Sequence, residues 1–142
     1  MDLPIQFPEL DAWAAGFPIA LLHAAVALII LVVSAATYAL LSPHREIQQI
    51  RDGNPAAALA FAGVVLGLAL PLAFALSAST STLEVALWGV TVVVTQLVLF
   101  WAADLLLHGL PQRVKEGEIA AAALLVAARL SAAAILAAAV AA

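Results

Sequence analysis

The chain has no cysteine, which excludes disulfide bridges, thiolate metal sites and thiol nucleophiles. It has little charge: 10% of its 142 residues are Asp, Glu, Lys or Arg, and five basic residues against nine acidic ones leave a net charge of -4. Such a chain has no basic patch for nucleic acid, and nucleic acid is not an expected partner. No catalytic triad, phosphate loop or paired-carboxylate spacing is present, so the sequence predicts neither an enzyme nor a bound cofactor or metal. The start of the chain, with Asp2, Glu9 and Asp11 and no Lys or Arg before His44, is the reverse of a signal peptide and is expected to stay on the mature protein.

What the chain does have is apolar surface. Hydrophobic residues make up 66% of it, and the mean hydropathy is +1.15. No soluble core of this length hides so much, whereas roughly 20 apolar residues in a row cross a bilayer. Four runs qualify, and the sequence predicts an all-α membrane protein: four transmembrane helices arranged as two parallel-repeat helical hairpins, with the lipid bilayer as first partner. The expected units are a periplasmic interfacial segment (1–16), a first hairpin (17–77), a periplasmic link (78–84) and a second hairpin (85–142). Pro4, Pro8, Trp13 and Phe17 suit an irregular segment at the water interface, with Pro18 near the first turn of the helix that follows.

The first span, about Phe17 to Leu41, ends at Pro43. His23, Ala27, Ser34 and Thr37 fall along one stripe that would face protein or a cavity, and Tyr38 sits at interface depth. A charged elbow follows, HREIQQIRDGN, in which Ile47 and Ile50 support one or two interfacial helical turns. Asn54 is a good N-cap and Pro55 a good first helical residue for the second span, to about Leu76. Within it Gly63 and Gly67 have the spacing for close helix contact, and Pro71 predicts a bend by leaving the Gly67 carbonyl without its amide donor. Ser81 and Glu84 form a capping box for the third span, about Leu83 to Leu107, which carries Trp88 and Trp101 at its ends and Gln96 and Asp104 inside.

The second elbow, HGLPQRVKEGE, leads to a fourth span from Ile119 to about Ala141. Arg51, Asp52, Gly53 and Ala56 to Ala58 correspond to Lys115, Glu116, Gly117 and Ala120 to Ala122, the basis for reading two copies of one hairpin. In the last helix Ala127 and Ser131 align with Gly63 and Gly67 and would preserve the small-residue contact. Eight larger aliphatics contribute at most roughly 2.4 to 4.8 kcal/mol of insertion free energy there, against about 2.5 to 3.5 kcal/mol for Arg129 near the midpoint. Such a helix belongs inside an assembly. The elbows carry the Arg and Lys residues (Arg45, Arg51, Arg113, Lys115), so they are expected to face the cytosol and both termini the periplasm.

The strings SPHREIQQIRDGNPAAALAFAGVVLGLALPL and ALWGVTVVVTQLVLF resemble the YjfL-type family of small bacterial inner-membrane proteins, a domain of unknown function. The resemblance covers about residues 18 to 140. It implies four transmembrane helices, a bacterial cytoplasmic membrane, and an association of some members with envelope-stress and polyamine-related gene neighbourhoods. It brings no reaction and no catalytic residues. Members often carry Asn where Glu118 stands here.

Arg129 is the first candidate site residue, because an ionisable group at mid-bilayer depth is a functional-site hypothesis by default. It reads either as a fixed charge in a polar conduit or as a structural group bonded to Gln96 and helix carbonyls or paired with Asp104. The conduit reading gathers Arg129, Gln96, Asp104, His23, Ser34 and Thr37 in a homo-oligomer that passes ions or small polar solutes. The alternative is a scaffold that holds a cytosolic envelope-stress partner through the elbow residues His44, Arg45, Glu46, Arg51, Asp52, His108, Arg113 and Lys115, without transport.

Overall fold

A computed structural model describes residues 7–142; the expectations for Asp2 and Pro4 lie outside the described residues. Among the described residues six helices follow one another: α1 (Pro8–Leu41), α2 (Glu46–Arg51), α3 (Pro55–Ala78), α4 (Thr82–Leu106), α5 (Leu110–Lys115) and α6 (Ile119–Ala141). Among the described residues four helices, α1, α3, α4 and α6, are long and apolar enough to cross a membrane. The protein is an all-α membrane protein.

Local chemistry sets the helix ends. The Asn54 side chain accepts from the amides of Ala56 and Ala57 at 3.0 and 3.2 Å, satisfying two donors that open α3. Ser81 and Glu84 close a reciprocal capping box at the start of α4. The first helix differs from the sequence expectation. Instead of an irregular stretch up to about residue 17, the helix begins at Pro8, with Pro18 inside it. Pro8 stands where a missing amide costs nothing, Glu9 and Asp11 offset the positive helix end, and Trp13 stacks on Phe17 at 5.1 Å, one turn on.

α3 is the central strut. It packs most extensively on α6 and also touches α4 and α1. Glycine permits the approach: a Cβ on Gly63 would lie 2.7 Å from Cγ2 of Val126, and one on Gly67 would lie 2.7 Å from the Phe100 ring. Ala127 and Ser131 do not take part; both are exposed on α6, and the Ser131 hydroxyl donates to the Ala127 carbonyl. The reason is angular. Arg129 faces inward, and residues two positions away on a helix are turned about 200° from it, toward the outside.

Both elbows lie at one end of the bundle, because the Asn54 amide donates to the Val114 and Lys115 carbonyls at 2.9 and 3.2 Å. α3 and α6 therefore leave the same end side by side. The interior is layered along them. Small residues of α3 and α6 with Leu110 and Val114 fill the elbow end, Tyr38, Val64, Leu68, Val93 and Phe100 the middle, and Ala27, Leu72, Ala75, Val85 and Val92 the far end.

Candidate functional site: a buried guanidinium with two carboxylates

Arg129 lies ten residues into α6, about 15 Å along the helix at 1.5 Å per residue, and it is fully buried. A guanidinium cannot discharge itself, so its surroundings must carry the compensation. Nη1 donates to the Ala60 carbonyl at 3.0 Å, a contact open because α3 and α6 approach so closely. Nη2 donates to Asp104 Oδ1 at 3.0 Å and Oδ2 at 3.3 Å, and to the Tyr38 hydroxyl at 2.6 Å. Its carbon also stands 5.4 Å from the Tyr38 ring centre and 5.6 Å from that of Phe100, within cation–π range. Four spanning helices thus converge on one cation.

A second carboxylate completes the cluster. Glu46, at the first position of α2, is turned inward and buried, and its Oε1 lies 3.9 Å from Nη2, near the guanidinium but without a hydrogen bond to it. The Tyr38 hydroxyl bridges the two: it accepts from Arg129 and donates to Glu46 Oε1 at 3.0 Å. Burial pushes the Glu46 carboxyl above the usual carboxylate range, opposed by the nearby Arg129 charge and the Tyr38 hydrogen bond. Among the described residues, three buried side-chain polar atoms have no protein partner: Glu46 Oε2, Gln96 Oε1 and Arg129 Nε.

The cluster opens toward the elbows. Asp104, with 18% of its side chain exposed, lines a cavity of about 540 Å³ bounded by His44, Trp101, His108 and Gln112. It also lines a neighbouring one of about 340 Å³ that reaches Tyr38 and Ser42. Burial holds the His44 imidazole below its ordinary range, opposed by Asp104 and aided by Lys115 and Arg129, so His44 favours its neutral form at the cavity wall. Among the described residues no group of three or more acidic or His side chains is arranged for a metal ion.

Of the sequence-predicted conduit residues, the structure gathers Arg129, Asp104 and Gln96, whose amide reaches the Arg129 carbonyl at 3.5 Å. It does not bring the α1 stripe to them. The Ser34 and Thr37 hydroxyls each donate to a carbonyl one turn back, at 2.5 and 2.7 Å, and His23 lies half-buried about 22 Å along α1 from Tyr38. In an apolar bundle a hydroxyl satisfies itself on its own helix before it lines a path. Sequence reasoning missed Tyr38 and Glu46 as cluster members. Tyr38 had a readable signal, one turn beyond Ser34 on the same stripe; for Glu46 there was none, since the inward roll of a six-residue helix is set by tertiary contacts. The other elbow charges Arg45, Arg51, Asp52, Arg113 and Lys115 are exposed.

The family model described as Domain of Unknown Function (DUF350) matches residues 12–140. The chain belongs to this family. The UPF0719 inner membrane protein YjfL of Escherichia coli (strain K12) is 35% identical over 77 residues, which cover 54% of this chain and 58% of that protein. YjfL of Escherichia coli O157:H7 matches to the same extent, so the alignment spans less than two thirds of these curated relatives. No solved structure matches significantly. Four apolar helices and this kinship make the chain a multi-pass inner-membrane protein of the DUF350 family.

Proposed function

We propose that this protein is a conduit subunit that moves ions or small polar solutes across the cytoplasmic membrane as a homo-oligomer, and that it is not an enzyme. Its hairpins are two parallel copies of one unit, the elbows face the cytosol and both termini the periplasm. One observation carries the reading. The fully buried Arg129 guanidinium, reaching from mid-helix of α6 toward the elbow end, is bonded directly to Asp104, and Asp104 is open to a cavity there. A charge enclosed only for packing has no need of a water-accessible partner, and membrane proteins keep such groups where a polar pathway passes. The far layer around Leu72, Val85 and Val92 is closed and apolar, which suits one state of a conduit with access from one side.

Purified protein in liposomes is expected to pass a small ion or solute, and Arg129→Leu and Asp104→Asn to abolish that flux. Impermeable vesicles across a broad panel of ions and protons would overturn the reading. One observation favours a scaffold that anchors a soluble partner, as the envelope-stress gene neighbourhoods of the resemblance imply: the Asn54 bonds knit the two elbows into a single surface bearing exposed Arg51, Asp52 and Lys115. Under that reading charge reversal at those three residues disrupts a cross-linked cytosolic partner while Arg129→Leu leaves the cross-link intact.

A further inference from the structure

We propose that Glu46 is a proton-binding site: a carboxyl that is un-ionised at neutral pH, set apart from the Arg129 guanidinium by Asp104, and reached by protons through the elbow-side cavities. The inference rests on the conduit reading for its role, since it names the proton as the conduit's first substrate or coupling ion, but the site exists or fails independently of flux.

Two acidic groups compete for one guanidinium, and the distances decide the winner. Asp104 takes two hydrogen bonds from Nη2, at 3.0 and 3.3 Å, whereas Glu46 stands off at 3.9 Å with none. Glu46 receives a single neutral donor, the Tyr38 hydroxyl, and its Oε2 is buried without any partner. A carboxylate needs several donors, and one left with a bare oxygen in an apolar interior favours taking up a proton. With both carboxylates ionised the cluster would carry one excess negative charge; with a proton on Glu46 it is neutral. The charged and titratable groups facing Glu46 are Tyr38 from α1, Asp104 from α4 and Arg129 from α6, with His44 two residues earlier in the chain.

Access is present too. The smaller cavity is lined by both Tyr38 and Asp104, so it reaches the side chain whose buried hydroxyl is bonded to Glu46. The step is simple uptake: hydronium gives its proton to a Glu46 carboxylate oxygen, an O–H bond forms, and water is left. Movement of Arg129 from Asp104 toward Glu46 would lower the proton affinity and release it, so guanidinium position and proton occupancy are linked.

Infrared spectroscopy of the full-length protein in lipid, titrated from mildly acidic to mildly alkaline pH, tests this. A carbonyl band of a protonated carboxylic acid is expected to persist at neutral pH and vanish in Glu46→Gln. In Asp104→Asn the guanidinium is free to serve Glu46, and the midpoint of the band should fall by about 1 to 3 pH units. In Tyr38→Phe it should rise, because a donor to the ionised form is gone. Absence of the band in the wild type, or its survival in Glu46→Gln, overturns the proposal. If Glu46→Gln does not fold, the opposite shifts in the other two variants carry the test, and no shift in either overturns it. A titrating band in vesicles that pass no protons, ions or solutes would sink the conduit reading and leave this site standing.

Discussion

At the start of α2 stands Glu46; 64 residues on, at the start of α5, stands Leu110. The backbone around them is the same. Arg45 and Gly109 precede the two short helices in the left-handed region, at φ 50° and 86°, and Gly53 and Gly117 follow them at 87° and 86°. Asn54 and Glu118, the residues before α3 and α6, share torsions to within a degree. The side chains then diverge: Glu46 enters the charged cluster, whereas Leu110 joins the apolar elbow layer. The same holds for every charged or hydroxylic member of the cluster, because at that spacing Arg129 corresponds to Val65, Asp104 to Leu40 and Tyr38 to Ala102. The two elbows follow like backbone torsions, and the polar site occupies positions at which the two stretches differ in side chain.

The sharpest way to break that division is to make the halves alike where they differ most. Arg129→Val, which installs the residue found at the corresponding position of α3, leaves Asp104 without its cation and is expected to destabilise the protein by about 3 to 5 kcal/mol. Denaturant unfolding in detergent micelles measures it. A loss under 1 kcal/mol would mean that the cluster is not a paired, buried unit.

Next in size is the helix contact. Gly67→Val drives a branched side chain into the Phe100 ring and should cost about 1 to 3 kcal/mol of stability, while Ser131→Val at the corresponding, exposed position of α6 should be near neutral. Equal effects of the two would place the small-residue face of α6 in a second contact, between copies of the chain.

The contrast also marks what a sequence can tell. Asn54 with Pro55, Ser81 with Glu84 and the apolar runs between them set the helix ends through neighbours two or three residues away, so α3, α4 and α6 were legible. Arg129 and Asp104 were legible as candidates because charge in an apolar run is conspicuous. The facing of each helix was not, since it depends on which side the guanidinium takes; that is why Ala127 and Ser131, chosen by alignment with α3, point outward. Glu46 reads as a surface charge in a polar elbow until the elbow folds onto Tyr38.

A third test concerns the seam between elbows. Asn54→Ala removes the cap of α3 and two bonds to the second elbow, and should lower stability by about 2 kcal/mol. A fourth uses pH. Because burial raises the proton affinity of Glu46 above that of the unfolded chain, its contribution is fully present below the ordinary glutamate range and is lost as pH rises through the raised value. Unfolding free energy should therefore decline with pH across that window in the wild type, and Glu46→Gln should flatten this part of the profile.

The smallest effect lies at Glu118, where the backbone is ready for a cap that the side chain does not provide. Glu118 turns away to pair with Arg113, through Nε at 2.6 Å and through Nη2, at a site open to solvent. Such exposed pairs contribute little because water screens them and ordering two long side chains costs entropy. Asn54 shows what the same torsions allow: a short amide whose oxygen reaches the second and third amides of the helix. Glu118→Asn exchanges the exposed pair for a cap at α6 and is expected to raise stability by about 1 kcal/mol, whereas Glu118→Ala loses the pair alone and should be nearly silent. If Glu118→Asn destabilises instead, the Arg113 pair anchors the second elbow as Asn54 anchors the first, and the two elbows would be alike in strength while differing in chemistry.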